Sequence, residues 1–367
     1  MSDSSAPEQP SVLSVDPGSL PTAQELQELL VLVLVLGLAA LVLSVLMPLA
    51  VKPMLRRLGV VDIPNERSSH SSTVIRGMGL AVAVSVVVVQ FAALVAGVVD
   101  VDRSVALVVL GGTVLAAALG WTEDLRGLSV RWRLAWQAGI GVVCAGALSV
   151  ILGTGIWWWP VCALAVVVYI NVANFMDGIN GISGLHGFVV GLLYAWAGAS
   201  NDLVWMIVAG LVVAFAFAGF LPWNFSRDAV FLGDVGSYLL GGSLILIAVA
   251  AFLSGVYVEY LLPPLSVYLA DTGWTLMRRI RRGDAWWRPH REHVYQRLTD
   301  AGLGHASSAA TVAGFTVAVS LISLAALWLP QVPSLPLGVL VLLLLMLYLA
   351  LPGLLGSRRV RATGRSS

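Results

Sequence analysis

Charge is scarce in this chain. Only 11% of its 367 residues are Asp, Glu, Lys or Arg, while 58% are hydrophobic, and the mean hydropathy is +0.90. That balance excludes a soluble domain of this length. Cysteine is nearly absent too. Cys144 and Cys162 both fall in apolar runs, read there as small packing residues, and support neither a disulfide framework nor a zinc-type Cys/His spacing. Residues 1–26, rich in Ser, Pro and acid, carry no basic segment ahead of the first apolar run. They read as a disordered lead rather than a cleaved signal peptide. No nucleic-acid-binding patch is present.

What the chain has is a series of apolar runs of about 17–25 residues, the length that spans a bilayer. They lie at 27–50, 77–99, 104–120, 134–153, 157–173, 184–199, 203–222, 236–254, 256–274, 310–329 and 334–355. The expectation is an all-α polytopic membrane protein of about eleven transmembrane helices, a transmembrane domain over 27–355 followed by a basic tail over 356–367. With the N-terminus outside, every one of the 21 Lys and Arg residues except Arg103 falls on the cytoplasmic side. The positive-inside rule therefore places the C-terminus in the cytoplasm. The net charge of +1 conceals this basic inner face, which suits an anionic lipid or nucleotide.

In this topology every polar-rich connection faces the cytoplasm, where an active-site cleft is expected. Asn171 to Gly184, NVANFMDGINGISG, sets an aspartate, two more Asn and three Gly close to hydrocarbon. It reads either as a Gly-rich turn with caps or as a polar site. Arg67, His70 and Arg76 are either a lipid-anchoring stretch or a phosphate-binding surface. Glu123 and Asp124 sit at the C-terminal end of a helix, where their charge opposes the macrodipole. Such a pair can hold a divalent ion or accept a proton. Asp234, between glycines in FLGDVGS, is a helix cap or a ligand, and Phe231 beside it is core or an aromatic face for a nucleobase. His290, Arg291 and His293 lie among arginines that disfavour a bound cation and suit phosphate oxygens.

Carboxylates on three inner loops beside Arg and His loops are what phosphoryl transfer uses. A transporter would carry acids deep in its spans and internal repeats, and neither is clear here. A CDP-alcohol phosphotransferase would carry a DGxxAR element, whereas Asp177-Gly178 is followed by Ile-Asn-Gly.

Five motifs, in order, resemble those of the polyprenyl-phosphate N-acetylhexosamine-1-phosphate transferases: PNERSSH with IRGMG, GWTEDLRGLSVRWRLAWQ, NVANFMDGINGISG, FLGDVGS and PHREHVYQRLTDAGLGH. The resemblance covers Asp62 to His305 and is strongest to the O-antigen-initiating branch. It implies a multi-pass enzyme of the bacterial inner membrane, in contact with membrane lipids. The reaction implied is transfer of a sugar-1-phosphate from a UDP-N-acetylhexosamine to undecaprenyl phosphate, releasing UMP, with Mg²⁺ or alternatively Mn²⁺. Carried over by position, Asp234 would be the main metal ligand, with Asp124. Glu123 and Asp124 would fill the paired-acid position linked to deprotonating the lipid phosphate, and Asp177 would be the site aspartate. Asn171, Asn174, Asn180 and Phe231 would contact the nucleotide sugar; Arg67, His70, Arg76, Arg133, His290, Arg291 and His293 would contact phosphate. Glu123 and Asn180 each stand where the family pattern has Asp. Homodimers are common in that family, though nothing in these helices specifies one.

Overall fold

The computed structural model describes residues 23–62, 74–99, 101–226, 230–285, 290–329 and 331–363. The expected disordered lead lies outside them except for its last four residues, which already belong to the first helix.

All eleven apolar segments fold as helices. In chain order these are α1 (Ala23–Leu58), α2 (Gly79–Val95), α3 (Arg103–Arg126), α4 (Val130–Ile151), α5 (Trp158–Met176), α6 (Ile182–Ser200), α7 (Val204–Asn224) and α8 (Gly233–Leu253). The segment at 256–274 divides into a single turn, α9 (Val258–Leu261), and α10 (Pro263–Arg281), with two prolines at the start of α10, where a missing N–H costs nothing. A short α11 (Val294–Asp300) precedes α12 (His305–Trp328) and α13 (Ser334–Thr363). Strands β1 (Val61–Asp62) and β2 (Val74–Ile75) pair antiparallel between α1 and α2.

Among the described residues nine helices are long and apolar enough to cross a membrane, α1, α3 to α8, α12 and α13. These are nine of the eleven segments expected to span; α2 and the segment at 256–274 fall outside that set. The 17 residues of α2 reach about 25 Å at 1.5 Å per residue, short of a hydrocarbon core of about 30 Å. α10 carries Asp271 and ends in Arg278, Arg279 and Arg281. Large apolar side chains are exposed along α1, α4, α5 and α13, as a lipid-facing surface requires.

The core is built around α8, in which every residue from Asp234 to Ala251 is buried. Its first turn is gripped by two helices that approach through glycine. A Cβ on Gly120 of α3 would lie 2.1 Å from the Asp234 carbonyl oxygen, and one on Gly79 of α2 would lie 2.3 Å from Gly236 Cα. Backbones meet this closely in membranes where side chains are smallest. The same end of the bundle collects the ends of α3, α5, α7 and α10, and that is where the polar motifs gather.

Candidate active site

The segment before α8 runs beside the one before α2. Phe231 N–H donates to Ile75 O (2.9 Å), Met78 N–H to Phe231 O (3.0 Å) and Gly79 N–H to Leu232 O (2.7 Å). This backbone ladder places Arg76 over the start of α8. Its Nε lies 2.9 Å from Asp124 Oδ1, and its Nη2 pairs with Asp234 Oδ2. One guanidinium thus bridges two carboxylates from different helices.

The Asp124 side chain has no exposed surface. It accepts from the backbone N–H groups of Asp234 (3.0 Å) and Val235 (2.9 Å), so it caps α8 from the end of α3. An acid that opposes the dipole of its own helix therefore favours that of its neighbour. Gly233, at φ +75°, turns the chain into α8; a Cβ there would meet Asp124 Oδ2 at 2.7 Å. Asp234 Oδ1 accepts from Asn174 Nδ2 (2.6 Å), which also reaches Ser237 Oγ (3.0 Å). Glu123 accepts from Leu128 N–H (2.6 Å) and from Arg133 Nη1 (3.4 Å), closing the turn between α3 and α4.

Asp177 follows α5 and takes a hydrogen bond from Ser183 Oγ (2.7 Å). Burial raises its carboxyl to about 7; the Ser183 bond opposes this, and the negative charges of Asp234 and Asp124 add to it. Asn224 ties this loop to the next, accepting from Gly181 N–H while donating to Val230 O (2.8 Å).

The loop carrying the histidines docks on the same turn. Tyr295 Oη donates to Phe175 O (3.1 Å), and a Cβ on Gly178 would collide with that hydroxyl at 2.1 Å. His293 is buried, with Nδ1 3.0 Å from Asp271 Oδ1, and stacks on His290 (5.0 Å between centroids). Glu292, held at about 2, fastens the loop to the end of α10. Burial opposes that depression, but hydrogen bonds from Arg282, Arg278 and Arg279 outweigh it.

Of the residues singled out in the sequence, Asp124, Asp234, Arg76 and Asn174 converge directly, with Asp177 within their electrostatic reach. Glu123 and Arg133 form an adjoining pair. Asn171 faces elsewhere, donating to Gln137 Oε1 (2.6 Å) and Val167 O (2.8 Å), and links α5 to α4. Asn180 is held through its backbone N–H, 3.4 Å from His305 Nδ1. Arg291 is exposed, and Phe231 is partly buried. Arg67 and His70 lie outside the described residues. Asp271, Ser183, Ser237 and Tyr295 carry much of the geometry, and residue type alone did not single them out. For Asp271 a signal existed, an acid inside an apolar segment.

Among the described residues no three His, Cys, Asp or Glu side chains form a ready-made metal site. Mg²⁺ does not require one, because it usually takes one or two carboxylates and completes its shell with water and substrate phosphate. Asp234 with Asp124 supplies that donor set, and the Arg76 guanidinium shows that the pair accommodates positive charge.

Fold and site together define a multi-pass membrane protein with a carboxylate-rich site at one end of its helical bundle. Residues 106–252 match Glycosyl transferase family 4, and the chain belongs to that family. It is 30% identical over 320 residues to the decaprenyl-phosphate N-acetylglucosaminephosphotransferase of Mycolicibacterium smegmatis, covering 73% of this chain and 76% of the relative. A probable undecaprenyl-phosphate N-acetylglucosaminyl 1-phosphate transferase of Bacillus subtilis is 29% identical over 314 residues, 79% of this chain and 86% of the relative. The Escherichia coli undecaprenyl-phosphate alpha-N-acetylglucosaminyl 1-phosphate transferase is 26% identical over 272 residues, 67% of this chain and 71% of the relative.

Proposed function

We propose that this protein transfers N-acetylglucosamine-1-phosphate, or a closely related N-acetylhexosamine-1-phosphate, from its UDP-sugar to undecaprenyl phosphate or a similar polyprenyl phosphate. An oxygen of the lipid phosphate attacks the sugar-bearing phosphorus, the bond to the UMP oxygen breaks, and UMP leaves. The product is the first lipid-linked intermediate of a cell-surface polysaccharide. The observation that carries this reading is the Asp124–Arg76–Asp234 cluster, joined by Asn174 and standing beside the loop that carries His293.

Asp234 and Asp124 would hold Mg²⁺, which supplies charge stabilisation for the transferring phosphoryl group. Asp124 also pairs with Arg76 and accepts from the backbone at the start of α8, so besides its place in the donor set it holds that helix in position. Proton acceptance suits Asp177 better. Its value of about 7 sits close to the second ionisation of a phosphate monoester, about 6. Transfer of the lipid phosphate proton is then nearly balanced. Arg76, Arg133, His290, Arg291 and His293 supply positive or donor groups toward phosphate. Direct attack needs no covalent enzyme intermediate, since both reactants are held together at one site.

We also read α2 and α10 as crossing the bilayer. α2 runs from Gly79 beside Gly236 to Leu94, which lines a cavity with Ala106 and Trp205 near the starts of α3 and α7. That keeps the direction of successive helices alternating, with the N-terminus outside and the site in the cytoplasm.

Purified protein with polyprenyl phosphate, Mg²⁺ and a panel of UDP-N-acetylhexosamines should release UMP only when both lipid and metal are supplied. Asp234→Asn should lower turnover by at least about a hundredfold. Release that ignores lipid or survives chelation would overturn the reading.

A further inference from the structure

Asp271 belongs to none of the motifs that define the site, yet it is the most heavily engaged carboxylate among the described residues. It lies in α10 and is fully buried. Its Oδ1 meets His293 Nδ1 (3.0 Å), Val294 N–H (2.9 Å) and Thr275 Oγ1 (3.4 Å). Its Oδ2 meets Tyr295 N–H (3.2 Å) and Tyr348 Oη (2.7 Å), the latter from α13 at the far end of the sequence. A buried carboxylate is costly unless so compensated. Two backbone N–H groups would be enough to seat α11; the His293 ring need not turn inward for that. With Nδ1 committed to Asp271, Nε2 is the ring nitrogen left to meet a ligand. The ring stands beside Phe175, 6.3 Å between centroids, and Phe175 follows Asn174 and precedes Asp177 by two residues. Burial, His293 and Arg279 push the neighbouring His290 down to about 4, so that ring is neutral at pH 7.

We infer that Asp271 is a positioning residue which, through Nδ1, orients the His293 imidazole so that Nε2 is turned toward a substrate phosphate. The dyad stands on geometry alone; its role toward phosphate rests on the transferase reading above. Without the acid, the ring can adopt the opposite tautomer or swing away, as happens when an orienting carboxylate is replaced by an amide.

The chain has five histidines, so ¹⁵N spectra of histidine-labelled protein in detergent are tractable, with His293→Gln assigning the signal. The wild-type His293 ring should carry a proton on Nδ1 at every pH where it is folded, and Asp271→Asn should remove that signature. An Nε2–H neutral tautomer in the wild type would overturn the dyad, whatever the substrate proves to be. In the UMP assay Asp271→Asn should lower kcat by roughly 10²–10⁴, with KM for the UDP-sugar changed less than threefold. The same substitution made in His293→Ala protein should cost nothing further. A further loss equal to that of Asp271→Asn alone would mean that Asp271 acts as fold support and not through His293. Loss of UMP release from every UDP-sugar, with the tautomer intact, would strike the transferase reading and its phosphate role while leaving the dyad standing.

Discussion

Asp177 carries two opposed demands. Its carboxyl is raised to about 7 chiefly by burial, so folding favours the neutral form. Below its unfolded value of 3.8 the group contributes no penalty. From there the native state becomes progressively disfavoured as pH rises, until the penalty levels off above about 7. Activity runs the other way, because the proton acceptor proposed above must be ionised. We expect kcat/KM for UMP release to rise through a limb near pH 7 in the wild type, and Asp177→Asn to be inactive. The same variant should have the higher Tm at pH 8 and show no advantage at pH 4. Asp177→Asn melting below wild type at pH 8 would show that its carboxylate is stabilised by partners other than Ser183.

At the level of elements, the site depends on how closely α3 and α2 pack on the first turn of α8. Gly120 shows this most sharply, since a methyl there meets the Asp234 backbone at 2.1 Å and must push α8 away from Asp124. Gly120→Ala should cost about 1–3 kcal/mol, the range for overpacking a tight contact. It should also lose turnover, because the helix that moves carries Asp234, the metal ligand proposed above. Gly111, nine residues earlier on α3, has no atom within 4 Å of where a methyl would sit, and provides the comparison. Gly111→Ala should melt at or slightly above the wild-type temperature and keep its rate. Equal melting temperatures for the two variants would contradict the close packing. β1, β2 and the strand-like segment before α8 act in the same cause, their backbone bonds placing Arg76 where its side chain pairs with both carboxylates.

For the whole molecule, orientation can be tested without altering the site. Cys144 and Cys162 are buried, which leaves a quiet background for single introduced cysteines. Val101, between α2 and α3, is 78% exposed, and Arg131 is exposed in the first turn of α4, at opposite ends of α3 and its connection. In intact cells Val101→Cys should react with a membrane-impermeant maleimide, whereas Arg131→Cys should react only after the membrane is opened. The reverse pattern would place the site outside and remove its access to a cytoplasmic UDP-sugar.

Apolar run length and the distribution of arginine were enough, in the sequence, to predict a polytopic helical bundle, because bilayer thickness converts directly into a count of residues. They also picked out Asp124, Asp177, Asp234 and Asn174, because polar groups beside hydrocarbon are conspicuous. Run length could not tell that α2 is too short, or α10 too charged, to qualify as a plain span; those depend on where a helix begins and ends. Nor could it show that Asp124 caps a helix more than a hundred residues away, that one arginine bridges two acids, or that Asn171 faces α4 instead of the site. Asp271 escaped for the same reason. Its partners come from α10, the start of α11 and α13, and only packing brings them within hydrogen-bond range.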